Sequence, residues 1–125
     1  MKNTFKKDEK LKSRKLIEQL FLEGKRITTF PILLVYLETE HLSKYKIQAS
    51  FSVPKRRFKR AVDRNRIKRL MRESYRLQKH LVQELQEEKG ENKAVFMFVY
   101  IGKEEMNYTT IETSIGKLLT TFKAL

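Results

Sequence analysis

Apolar residues recur along this chain at two periods, one near 3.6 and one of 2, and the switches between them mark its elements. From Ser13, the positions Leu16, Ile17, Leu20 and Phe21 form the stripe of a short helix, with Ser13 as N-cap and Gly24 as terminator. Ile27 to Glu38 is strand-like around Ile32, Leu33, Leu34, Val35 and Tyr36. A polar turn follows at Glu40 to Lys44. Tyr45, Ile47, Ala49, Phe51 and Val53 then alternate with Lys46, Gln48, Ser50 and Ser52, a strand with one core face and one open face, stopped by Pro54.

The next segment is helical. With Ile67 at zero, Leu70, Met71, Ser74, Leu77, Gln78, Leu81 and Leu85 fall within about 80° of it. Asn65, Lys68, Arg69, Arg72, Arg76 and Lys79 fall on the opposite side, with Arg64 and Arg66 on the flanks. Gln86 to Asn92 reads as a polar loop, and Ala94 to Ile101 as a buried central strand. Thr109 is expected to cap a last helix, with Glu112 completing a capping box and Ile111, Ile115, Leu118, Leu119 and Phe122 as its apolar stripe. The order α-β-β-(basic loop)-α-β-α predicts an α+β fold, with helices packed on a small sheet.

Charge changes this picture more than composition does. The 125 residues are one domain's worth, and 40% hydrophobic content supports a folded core. The net charge is +13, and it is concentrated. Residues 55–72 hold ten Arg and Lys against one acid, Asp63, and residues 1–15 hold seven against Asp8 and Glu9. Such density favours a polyanion, and for an Arg-rich block on a folded domain that points to nucleic acid. Residues 1–12 are expected to form a flexible basic arm and 13–125 a single RNA-binding domain. No apolar run reaches membrane-spanning length and no signal-peptide pattern is read. With no cysteine, disulfides and thiolate metal sites are excluded, and a cytoplasmic setting is expected.

Protein-borne catalysis finds little support. His41 lies in a turn and His80 late on the basic helix, both expected at the surface, and neither has a spaced carboxylate or second histidine. Glu84, Glu87, Glu88 and Glu91 read as a solvated helix end. No catalytic residue and no metal site are therefore assigned. The chemistry-bearing segment is Lys55, Arg56, Arg57, Lys59 and Arg60 in a loop, followed by Arg64, Asn65, Arg66, Lys68, Arg69, Arg72 and Arg76 on the helix. Arg64 and Arg66 are expected to present bidentate donors to phosphate. Asn65 can reach a 2′-hydroxyl or base edge, or bond the local backbone.

A Ser52-Val53-x-Lys55 strand end, a short loop, Ala61-Val62, and Arg64-Asn65-Arg66-Ile67-Lys68-Arg69 opening a helix together resemble the RNR motif of the bacterial ribonuclease P protein subunit. The resemblance runs from about Leu11 to Leu125. It implies a two-layer α/β sandwich of α-β-β-β-α-β-α order on a small mixed sheet, with the left-handed βαβ crossover of the ribosomal protein S5 domain 2-like fold. It also implies a function. The protein would bind the catalytic RNA of ribonuclease P and the 5′ leader of precursor tRNA, assisting the endonucleolytic step that produces the mature 5′ end. The hydrolysis would be performed by the RNA, with magnesium held there and no cofactor on the protein, in a 1:1 ribonucleoprotein. Arg64, Asn65, Arg66, Lys68 and Arg69 would touch the catalytic RNA, with Ser52, Lys55 and Arg56 at the entry to that surface. Ile17, Phe21, Tyr36 (or Val35), Ser50 and Ser52 would form the leader cleft; sequence alone leaves Ile17 and Phe21 open between cleft and core. Ile17, Pro54 and the Lys59-Arg60 pair depart from the family's usual residues. The alternative, a ribosomal or ribosome-associated RNA-binding protein, would need basic residues but not this arrangement.

Overall fold

The structure is a computed structural model, which describes residues 5–82 and 93–125. Leu85, the loop Gln86 to Asn92 and the acids Glu84, Glu87, Glu88 and Glu91 lie outside that range, as do residues 1–4. Within it the elements run α1 (Arg14–Glu23), β1 (Lys25–Thr29), β2 (Ile32–Glu38), β3 (Ile47–Ser52), α2 (Ala61–Gln78), β4 (Ala94–Tyr100) and α3 (Tyr108–Ala124). The four strands form one mixed sheet in the order β1-β2-β4-β3. β4 is antiparallel to β2 and parallel to β3, so α2 is the crossover of a βαβ unit.

Ile27 to Glu38 is two strands, not one. Thr29 pairs with Ile32 across a hairpin whose two loop residues are Phe30 and Pro31. Pro31 has no N–H to give a ladder, and its carbonyl instead accepts from the Ile101 amide at 2.8 Å. The cap of α3 is likewise displaced: the Asn107 side chain, two residues before Thr109, accepts the Thr110 amide at 2.9 Å. Ser13 does cap α1, accepting from the Leu16 amide at 3.2 Å. Gly24 stands at the end of that helix, where a Cβ would lie 2.3 Å from the Leu20 carbonyl oxygen and 2.9 Å from Val35, so only glycine fits.

Alternation along β2 and β4 splits the interior into two clusters. Ile32, Leu34 and Tyr36 with Ala94, Phe96, Phe98 and Tyr100 meet α2 and α3 on one face. Val35, Val95 and Met97 meet Leu20 of α1 and Leu11 on the other. α1 packs on β2 and β4, so the outward side chains of β3 are left beside it.

Residues 5–12 are packed on the domain, which corrects the expectation of a free arm over that stretch. Phe5 lies edge-on to Phe51 and Tyr75, with centroids 5.8 Å apart in both pairs. Lys10 bridges in parallel to Ala49, and the Leu11 amide donates to the Ala49 carbonyl at 2.9 Å, extending the sheet beyond β3. Glu9 is fully buried, and both its carboxylate oxygens accept from the Lys79 ammonium at 2.6 and 2.7 Å. The segment's charge hid this: its apolar anchors are Phe5 and Leu11 alone, and one of its acids serves a lysine seventy residues away.

Candidate nucleic-acid interface

The basic loop between β3 and α2 is built around two anchors. The amides of Arg57 and Phe58 both donate to the Pro54 carbonyl, at 3.2 and 3.4 Å, which turns the chain. Phe58 then folds inward, edge-on to Tyr100 at 5.8 Å, leaving Lys55, Arg56, Arg57, Lys59 and Arg60 exposed around it. Tyr100 is held in turn, its hydroxyl donating to the Glu104 carbonyl and accepting the Met106 amide.

The RNR segment opens α2, but its two arginines have intramolecular partners. Arg64 Nη1 donates to the carbonyls of Phe58 and Lys59, both at 2.8 Å. Arg66 Nη2 lies 2.9 Å from Asp63 and Nη1 lies 3.5 Å from Glu105 in the β4–α3 loop. Both arginines are thus engaged within the protein: Arg64 closes the loop, and Arg66 is held by two carboxylates. Asn65 between them is exposed.

Farther along α2, Arg76 is paired with Glu73, whose carboxyl sits below its ordinary pKa because of that hydrogen bond. Lys79 leaves the cationic ridge altogether, since it is half-buried against Glu9. Among the described residues, Lys55, Arg56, Arg57, Lys59, Lys68, Arg69 and Arg72 enter no ion pair, and Arg60 has only a 3.8 Å approach to Asp63. The ridge is thus narrower than its sequence, comprising the loop cations and three positions on the exposed side of α2.

The five residues assigned to a leader cleft do not come together as a set. Ser50 and Ser52 stand half-exposed on the sheet face that carries α1, paired in register with Met97 and Val99. Phe21 is 44% exposed at the edge of α1, while Ile17 packs partly buried against the Val35, Val95 and Met97 cluster. Tyr36 is on the other face. It is 8% exposed and edge-on to Phe122 at 5.2 Å, because side chains alternate and Val35 takes the α1 side. Four of the five residues therefore share a face, and the fifth is core.

His41 is also misplaced by sequence reasoning, being 8% exposed rather than at the surface. Its Nδ1 accepts the Ser43 amide at 3.2 Å, so its proton lies on Nε2, 3.1 Å from the Lys46 carbonyl. Burial lowers its pKa. Lys93 donates to the carbonyls of His41 and Ser43, tying the β2–β3 turn to the start of β4. No group of three or more His, Asp or Glu able to hold a metal ion is found among the described residues. No helix among them is long and apolar enough to cross a membrane.

The family model described as Ribonuclease P matches residues 5–123. The Ribonuclease P protein component of Porphyromonas gingivalis is 40% identical over 114 residues, covering 90% of this chain and 82% of that one. Its counterpart in Chlorobaculum tepidum is 34% identical, covering 78% and 68%. The solved structure of the Staphylococcus aureus RNase P protein aligns with a TM-score of 0.70 at 17% identity, over 92% of this chain and 95% of that one. The RNase P protein from Thermotoga maritima aligns with a TM-score of 0.70 at 19% identity, over 90% and 96%. These two structures match the fold, with its four-stranded mixed sheet and three helices.

Proposed function

Because the chain belongs to the ribonuclease P protein family, we propose a division of labour over its surface, with docking to the catalytic RNA on one side and handling of the precursor's leader on the other. As a component of the ribonuclease P holoenzyme, it takes part in the cleavage that processes the 5′ end of tRNA. Its partners are the RNA subunit and the tRNA substrate.

The catalytic RNA docks on Lys55, Arg56, Arg57, Lys59 and Arg60 in the loop and on Asn65, Lys68, Arg69 and Arg72 of α2. The observation that carries this is a set of cations, Lys55, Arg56, Arg57, Lys59, Lys68, Arg69 and Arg72, that enter no ion pair among the described residues. Phosphates supply the missing charge, and displaced counterions supply the driving force. Arg64 contributes by shaping the loop. Arg66 reaches RNA by exchanging its carboxylates for phosphate.

The leader's single-stranded bases run along the strip beside α1, where Phe21 offers a ring face and Ser50 and Ser52 offer hydroxyls. Hydrolysis and the magnesium that supports it belong to the RNA. One protein binds one RNA, in the cytoplasm. The test is a titration of the catalytic RNA across ionic strengths. Log affinity should fall with log salt at a slope of about −0.7 to −0.9 per phosphate contacted. A flat response would remove the basic surface from the interface.

A further inference from the structure

Where the packed N-terminal segment runs alongside β3, the chain forms an open hollow of about 230 Å³ whose polar residues are Lys10, Lys12, Ser50, Lys68 and Arg72. We propose that this hollow binds one phosphodiester group of the catalytic RNA, so that the N-terminal segment and α2 grip the same phosphate. The proposal rests on the docking reading above and adds to it a site that no helix or loop forms alone.

The walls come from three directions. The parallel bridge of Lys10 to Ala49, and the bond from the Leu11 amide to the Ala49 carbonyl, fix Lys10 and Lys12 beside the strand edge. Lys68 and Arg72, four residues apart, share one side of α2. Ser50 of β3 borders the space, and Phe51 with Leu11 and Phe5 supplies the apolar part of the lining.

Among the described residues, four cations line this space and no carboxylate does. The nearby Glu9 is committed to Lys79 and to the Lys6 amide. Lys68 is half-buried, yet among the described residues neither it nor Arg72 has a hydrogen bond or ion pair. Like charges four residues apart on a helix are unfavourable, and Lys10 and Lys12 add to that repulsion. A singly charged group with two free oxygens relieves it. The arginine fork and the lysine ammonium groups donate to those oxygens. A water takes about 30 Å³, so the hollow has room for such a group. Continuity with Asn65 and Arg69 on α2 selects the catalytic RNA as its source.

The test compares wild type, Lys10→Gln/Lys12→Gln, Lys68→Gln and the combined triple variant. Affinity for the catalytic RNA is titrated across ionic strengths, with thermal unfolding as the control for folding. Lys10 and Lys12 are exposed, so the double variant should unfold like wild type. Expected are a roughly tenfold weaker complex and a salt slope smaller by about 0.7 to 0.9 for the double variant. Lys68→Gln should match it, and the triple variant should lose little more, because a single phosphate is at stake.

If wild type binds and the double variant is unchanged in affinity and slope, the hollow is not a phosphate site. Fully additive losses would place the lysines on separate phosphates and overturn the shared grip. A loss confined to leader-bearing precursor, with catalytic RNA binding intact, would overturn the assigned source. Failure of wild type to bind the RNA at all would overturn the docking reading itself.

Discussion

Arg64 reaches back over the basic loop to the carbonyl of Phe58, 2.8 Å from its Nη1, and the same nitrogen meets the carbonyl of Lys59 at 2.8 Å. An arginine that would be read as a phosphate contact is thus a brace for the segment that carries five exposed cations. Arg64→Ala should weaken binding to the catalytic RNA by about 1–3 kcal/mol, and amide exchange at residues 55–60 should rise with it. Arg64→Lys keeps the charge but not the arginine's planar array of donors, so it should recover only part of the affinity. Full recovery with lysine and unchanged exchange would make Arg64 a simple charge.

In the proposed docking, Glu105 competes with RNA for Arg66. Their contact is partly exposed and 3.5 Å long, so its worth is about 0.2–1 kcal/mol. Glu105→Gln should tighten binding to arbitrary RNA by up to about fivefold, following that free energy. Competition titrations should then show a smaller preference for the catalytic RNA. Weaker binding by this variant would mean that Glu105 positions Arg66 instead of opposing the RNA.

Among the described residues, Glu9 and Lys79 form the most enclosed ion pair, with side chains 0% and 13% exposed. Lys79→Met leaves a buried carboxylate without its ammonium, and should destabilise the fold by about 3 kcal/mol, read as a shift in urea midpoint. Loss of under 1 kcal/mol would show that residues 5–12 contribute little to the folded state.

His41 gives a pH dependence whose sign follows from its bonds. The ring is neutral because Nδ1 accepts the Ser43 amide, and burial lowers its folded pKa below the ordinary 6.5. The unfolded chain therefore takes up this proton first as pH falls. The His41 contribution is complete above about pH 6.5 and is lost as pH drops toward the folded value. Stability measured from pH 8 to 5 should decline below the midpoint of that range, and His41→Asn should flatten the decline. An unchanged slope in the variant would assign it to other groups.

Periodicity made most of the fold legible. The alternation of Tyr45 to Val53 and the stripe of α3 appear where the pattern put them, as does that of α1 apart from the exposed Phe21, because one-sided burial enforces each period. The failures have local causes. A continuous apolar run hid the hairpin at Phe30-Pro31, since both β2 faces are buried and only the turn separates the strands. Phasing β2 by one residue moved Tyr36 from the cleft to the core. Of the interface, the density of cations was readable from residues 55–72, but their commitments were not. The carbonyls that occupy Arg64 and the distant acids facing Arg66 and Lys79 appear only when the chain is folded. Lys10 and Lys12 were read as arm charges because the bridge to Ala49 leaves no pattern in sequence.

The most direct measurement is cleavage of precursor tRNA by the catalytic RNA at low magnesium, with and without this protein. Wild type should restore cleavage that the RNA alone performs poorly. An Arg56→Gln/Arg57→Gln/Arg69→Gln variant, folded as judged by thermal unfolding, should restore little, and should need a higher protein concentration to do so. No enhancement by wild type would contradict the account, and equal enhancement by the variant would take the exposed cations out of it.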